Sequence, residues 1–107
     1  MANTFKNAHN ANVAANYTDI YTASGVTTVI LGMSLCNKSS ATITASVQML
    51  DAGSAARVML NDVSIPAGST LEVLSGQKYI LEDTDKIQAK ASATNALDVV
   101  MGVMEIS

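Results

Sequence analysis

Thr42-Ile43-Thr44-Ala45-Ser46-Val47-Gln48-Met49-Leu50 is the stretch on which the fold turns. Ile43, Ala45, Val47 and Met49 alternate with Thr42, Thr44, Ser46 and Gln48. Successive side chains of an extended chain point to opposite faces, so a period of two predicts a strand with one face on a core and one toward water. Asp51-Ala52-Gly53-Ser54 then predicts a turn, and Arg57 to Val63 the return strand of a hairpin.

The same period extends outward in both directions. Upstream, Thr27 to Asn37 predicts a long strand, with Val29, Leu31, Met33 and Leu35 on one face and Ile30, Gly32, Ser34 and Cys36 on the other. Before it, Tyr17 to Ala23 predicts a strand with Tyr17, Asp19 and Tyr21 on one side and Thr18, Ile20 and Thr22 on the other. Ser24-Gly25 and Asn37-Lys38-Ser39-Ser40 read as turns.

Downstream, Ser64-Ile65-Pro66-Ala67-Gly68-Ser69 holds the only proline and predicts a loop. Thr70 to Leu74 and Tyr79 to Leu81 are short strands separated by a break at Ser75-Gly76. Lys86 to Ala91 alternates again, with Ile87, Ala89 and Ala91 on one face. Leu97 to Ile106 is the last strand: Leu97, Val99, Met101 and Val103 form one side, while Val100, Met104 and Ile106 make the other apolar too. A strand apolar on both faces is covered on both, or lies against a partner. About eight strands at turn spacings of roughly 8–12 residues predict an all-β fold, an eight-stranded antiparallel β-sandwich over residues 17–107.

Residues 1–16 are Asn- and Ala-rich, with neither strand nor helix periodicity. They read as a flexible N-terminal arm outside the sandwich. Two readings stand open: a frayed terminus, or an arm that orders against a neighbouring subunit. Phe5, the only phenylalanine, and Val13 are its apolar anchors, and Phe5 favours the docking arm.

Composition bounds the function. The 107 residues are 49% hydrophobic but only 14% charged, against about 25% charged in ordinary domains. So weakly charged a surface, with so many small side chains, suits a subunit covered in an assembly. The net charge of −3 and the scattered lysines give no basic field for nucleic acid. No apolar leader or membrane-length span is read, which predicts synthesis as a soluble product in the cytoplasm and no membrane partner. Cys36 is the only cysteine, so an intrachain disulfide is excluded, and in its apolar run it reads as a small hydrophobe.

No constellation for catalysis is found, and the expectation is a non-enzyme without cofactor. The single histidine, His9, has no partner of the kind nucleophilic or metal chemistry needs. Glu82, Asp83 and Asp85 in an acidic turn are the one weak candidate for a hard cation such as calcium. A solvated turn is the plainer reading. Tyr17 and Tyr21 could line an edge strand as interaction residues or stack a sugar, and their plainer reading is packing at a sheet margin.

Several segments carry a resemblance: the opening Met1-Ala2-Asn3-Thr4-Phe5-Lys6-Asn7-Ala8; Tyr21-Thr22-Ala23 before a long apolar strand; Ile65-Pro66-Ala67-Gly68-Ser69-Thr70-Leu71-Glu72-Val73-Leu74; Gly76-Gln77-Lys78 ahead of Leu81-Glu82; and Val99 to the ending Met104-Glu105-Ile106-Ser107. On these the chain resembles small all-β virion structural proteins of tailed bacteriophages. The resemblance spans nearly the whole chain and rests on turn and strand patterns, so no functional residue carries over. The Asn-rich leader from Asn7 to Asn16 departs from the pattern. The resemblance implies a location in the virion and a non-enzymatic role. The first expectation is a capsid decoration or cement protein that binds the outside of the head and bridges capsomers. The alternatives are a tail, neck or baseplate accessory protein of the same fold, and a carbohydrate- or receptor-binding module. The expected partners are the major capsid protein or other virion proteins, with self-association as a dimer or trimer.

Overall fold

Alternating side chains need a second layer to cover their apolar face, and the chain supplies it by wrapping on itself. The computed structural model describes residues 3–51, 53, 55–74 and 78–106. Among them the chain runs through β1 (Asn3–Asn10), β2 (Thr18–Thr22), β3 (Thr27–Asn37), β4 (Ile43–Leu50), β5 (Ala56–Ile65), β6 (Thr70–Glu72), β7 (Tyr79–Leu81), β8 (Lys86–Ala91) and β9 (Leu97–Ile106). The expected break at Ser75-Gly76, along with Gln77, Ala52, Ser54 and the ends Met1-Ala2 and Ser107, lies outside the described residues.

One sheet has the order β1-β9-β3, with β6 and β7 both pairing along the far edge of β3; the other has the order β2-β8-β4-β5. Every pairing is antiparallel. The pairs β1–β9, β2–β8, β3–β6/β7 and β4–β5 nest like rungs of one long hairpin. The pairs β3–β9 and β4–β8 roll that hairpin closed. This is the jelly-roll wrap, with the strand expected opposite β3 delivered in two pieces.

Most expected inward residues are buried: Ile43, Ala45 and Val47 of β4; Ile87, Ala89 and Ala91 of β8; Leu97, Val99, Met101 and Val103 of β9. On β4, Met49 is only partly buried, and Ser46, expected toward water, is buried where the register slips against β5. The buried apolar residues of these strands share one core cluster with Ile30, Met33, Leu35, Ile65 and Leu81. Each fully buried Val, Leu or Ile stabilises the fold by roughly 1.5–3 kcal/mol relative to an exposed one.

Three expectations are corrected. The leader of residues 1–16 is not irregular within the chain: Asn3–Asn10 adds to β9 in an unbroken register from Asn3↔Ile106 to Asn10↔Val99. Nine strands result rather than about eight. A ladder of main-chain hydrogen bonds needs no side-chain period, and most of β1 is exposed, so no pattern announced it.

The second correction concerns β3, whose register against β9 slips between Ile30 and Gly32. The extra residue, Leu31, reverses the alternation. Thr28 and Ile30 are buried before it, and Met33, Leu35 and Asn37 after it, leaving Leu31 exposed. Third, β2 slips against β8 between Asp19 and Tyr21, which separates Tyr21 from the face of Asp19. At the boundaries, β5 extends through Ile65, which is buried opposite Ile43, and β6 stops at Glu72.

Asn37 closes the corner between β3 and β4. Its buried Nδ2 donates to the carbonyls of Ala41 (2.8 Å) and Ile65 (2.9 Å), and its Oδ1 accepts from Ser39 N (3.0 Å) and Ser39 Oγ (2.7 Å). All four side-chain valences are used. Gly68, at φ 70°, donates to the Asn37 carbonyl at 2.9 Å from a conformation open chiefly to glycine.

Candidate docking surface

Residues directly opposite in an antiparallel pair project to the same side. The registers Phe5↔Met104, Val29↔Met104 and Val29↔Ile80 therefore set Phe5, Met104, Val29 and Ile80 in one row across β1, β9, β3 and β7. They lie on the outer face of the β1-β9-β3 sheet, because Val103 and Ile30, one residue along, are buried inside. A second row, His9, Val100, Ser34 and Glu72, runs parallel to it. Phe5 is 72% exposed, Ile80 54%, Val100 52% and Leu31 40%, so among the described residues four of the five exposed large apolar side chains share this face. The fifth, Val58, is on β5.

Between the two rows lies Asn7–Gly102–Gly32. A Cβ built on Gly102 or Gly32 would meet nothing within 4 Å, and neither needs a positive φ. Glycine inside a strand costs roughly 0.5–1 kcal/mol against alanine. Both sit at the β3 bulge, where the register slips between Ile30 and Gly32, and the pair leaves a trough between the two rows. Strand glycines mark a bulge or a place where another backbone can come close, and the open space above these two admits the second. Single exposed apolar residues are ordinary on protein surfaces, whereas a contiguous set rimmed by polar residues marks an interaction site.

The outer face of the other sheet is built from opposite materials. Gln48 Nε2 donates to Gln88 Oε1 (2.7 Å), Gln88 Nε2 to Asp19 Oδ1 (2.6 Å), and Lys86 Nζ to Asp19 Oδ2 (3.2 Å). This chain crosses β4, β8 and β2. The Gln88 hydrogen bond first, and Lys86 second, hold the Asp19 carboxyl below the usual carboxylate range. Beside it Lys90 Nζ sits 4.8 Å from the centre of the Tyr17 ring. Every polar tip in this row already has a partner.

The residues singled out from the sequence are dispersed. Phe5 is on the apolar face. Val13 is fully buried in the chain's own core, its N–H donating to the Leu97 carbonyl at 2.8 Å, so it anchors the segment after β1 and faces no partner. The β2 bulge parts the two tyrosines: Tyr17 lies outside against Lys90, while Tyr21 is registered opposite the buried Ile87. The Tyr21 hydroxyl bonds Thr28 Oγ1 (2.8 Å) and the Glu105 carboxylate, which also pairs with Lys6 Nζ at 3.0 Å. The Tyr21 hydrogen bond, then Lys6, lower the Glu105 pKa; burial and that carboxylate raise the Tyr21 pKa.

The acidic turn is a latch. Asp83 Oδ1 accepts from Gly25 N (2.6 Å), Asp85 Oδ2 from Glu82 N (2.9 Å), and Ala23 exchanges backbone bonds with Thr84 and Asp85. Two of the three carboxylates thus satisfy main-chain donors. No group of three His, Cys, Asp or Glu side chains converges as a cation site among the described residues. Two shallow hollows, of about 180 Å³ beside His9 and Asp98 and about 160 Å³ beside Thr44 and Asp62, fall below the roughly 300–1,000 Å³ usual for small-molecule sites. Cys36 is half-buried and free, on β3 opposite Asp98 and Thr70.

No family model and no curated protein matches the chain. Among solved structures it is similar to the subunit of Bacillus endospore appendages that form disulfide-linked pili, with TM-score 0.58 and 11% identity over 96% of this chain and 87% of that one. It is similar to a protein of the T13 IBDV viral particle, with TM-score 0.56 and 10% identity over 96% of this chain. The chain spans about a third of that protein, 30% of its length. A pentameric capsid protein from metagenomic phage sequences matches over 94% of this chain and 61% of its own, at 19% identity and TM-score 0.40. At such identities the first two likenesses are likenesses of fold: this chain shares its two-sheet wrap with a pilus subunit and with one portion of a viral particle protein.

Proposed function

We propose that the chain is a virion structural protein without enzymatic activity, a capsid decoration or cement protein that binds the outside of the head and bridges capsomers. The observation that carries this reading is the apolar outer face of the β1-β9-β3 sheet. Phe5, Ile80, Val100 and Leu31 stand open on it around a glycine trough. The resemblance of the sequence to small phage virion proteins supports the reading. So does a fold shared with protein subunits of a pilus and a viral particle. On this reading the face lies against the major capsid protein, and the polar outer face of the other sheet points to solvent.

Copy number per particle tests the proposal. Quantitative mass spectrometry of purified virions is expected to return hundreds of copies, lost together when heads are stripped. A dozen copies or fewer would move the protein to the tail, neck or baseplate. The carbohydrate-binding alternative loses its basis at β2, since Tyr17 and Tyr21 no longer share a face.

A further inference from the structure

The four sheet edges are not alike. On β5 the register slips twice against β4, once between Ala45 and Val47 and again between Val47 and Gln48, with Asp62 at φ 49°. Of the other edges, β2 has five residues and one slip, while β6 and β7 have three residues each. Bulges, brevity and interruption are the devices by which sheets discourage pairing with another chain. None of them is present on β1, which holds an unbroken eight-residue register and lies at the end of its sheet. Its one charged residue is Lys6, and an edge lysine ordinarily deters pairing. Here Lys6 is neutralised by Glu105 at 3.0 Å.

We infer that the edge of β1 pairs with the β1 of a second copy, antiparallel about a two-fold axis at Asn7. The inference rests on the same reading of the chain as an assembling subunit. Apart from Phe5 the side chains of β1 are short or polar, and the hollow at His9 and Asn10 touches only one end of the strand, so little along this edge would select an unlike peptide by its side chains. What they offer is a main-chain ladder, and a second β1 matches it in length. In this register Asn7 meets Asn7, Lys6 meets Ala8, Phe5 meets His9 and Thr4 meets Asn10, so no like charges are opposed. Closure about a two-fold keeps the outer faces on one side. The Asn7–Gly102–Gly32 trough of one copy then continues into that of the other. The Phe5–Met104–Val29–Ile80 row likewise runs into the row of His9 and Val100. The pairing makes one eight-strand-wide docking face from two.

The test uses the full chain with Cys36→Ser and Asn7→Cys under mild oxidation, beside Cys36→Ser with Val58→Cys on the bulged edge. On a denaturing gel the Asn7→Cys chain is expected to run as a disulfide-linked dimer that reductant reverses, and the Val58→Cys chain, whose β1 pairing is non-covalent, as a monomer. Light scattering on the unmodified chain is expected to give twice the monomer mass, returning to monomer with Asn7→Lys. A monomer mass for the unmodified chain overturns the inference. So does cross-linking no greater at Asn7 than at Val58, or a dimer that survives Asn7→Lys. A dimeric protein that fails to bind heads would sink the decoration reading and leave this inference standing; a monomer that binds heads would do the reverse.

Discussion

The two outer faces of the sandwich cover one shared core, yet they use their surface differently. Across β4, β8 and β2 the polar groups of Gln48, Gln88, Asp19 and Lys86 bond one another. Across β1, β9, β3 and β7 the comparable row is Phe5, Met104, Val29 and Ile80, beside two glycines with empty space above them. A face whose hydrogen bonds are satisfied within the chain has little to gain from a partner. A face that leaves apolar area in water, with open space above its two glycines, is incomplete alone. Each strand sets one parity on the core, and the other parity is free to record what the outside is for.

The sharpest way to break the contrast is to put charge on the apolar face. Val100→Asp with Ile80→Asp is expected to weaken binding to heads by about 100-fold or more, since an unpaired buried carboxylate is costly. Thermal unfolding should move little, because both side chains are already half exposed. Next comes Gly102→Val, expected to reduce head binding by roughly tenfold by filling the trough, while stability stays level or rises by up to about 1 kcal/mol. Loss of stability there would mean that the glycine serves the fold after all.

On the polar face the expected signs reverse. Gln88→Ala removes two hydrogen bonds and should cost about 1 kcal/mol in denaturant unfolding while leaving head binding unchanged. Acid gives the smallest effect. The folded pKa of Asp19 is lowered from its ordinary 3.8, so its contribution is present above that value and lost as pH falls through the lowered one. Asp19→Asn should therefore flatten the fall in stability below about pH 4. An unchanged acid limb would show that the Gln88 and Lys86 contacts do not hold in solution.

How much of this was legible in the residues depended on whether a side chain or the main chain did the deciding. β8 buries every second residue and β9 does so from Leu97 to Val103, and their faces follow directly from the alternation; on β4 the bulge also buries Ser46. β3 was legible as a strand but not in its parity. Val29, Ile30 and Leu31 are all apolar, and the one-residue slip that exposes Leu31 leaves no trace in composition. β1 was invisible for a different reason, as its side chains are mostly in water and main-chain pairing with β9 fixes it. Asn37 looked like an ordinary turn residue, and only the approach of Ala41, Ile65 and Ser39 makes it a fully bonded buried amide. The docking face was half legible: Val100, Met104 and Ile106 announced a second apolar side on β9. That Phe5 and Ile80 extend it depended on strand order, which no local pattern encodes.

The pairing of the first strand with the last has a mechanical result. Asn3 sits opposite Ile106, so both ends of the described chain emerge at the same corner, on antiparallel neighbours. Tension applied through those ends would open the β1–β9 ladder like a zipper, one rung at a time, and meet little resistance. A particle that relied on this protein against outward pressure would have to load it broadside, through the flat of the sheet, where many contacts share the strain at once.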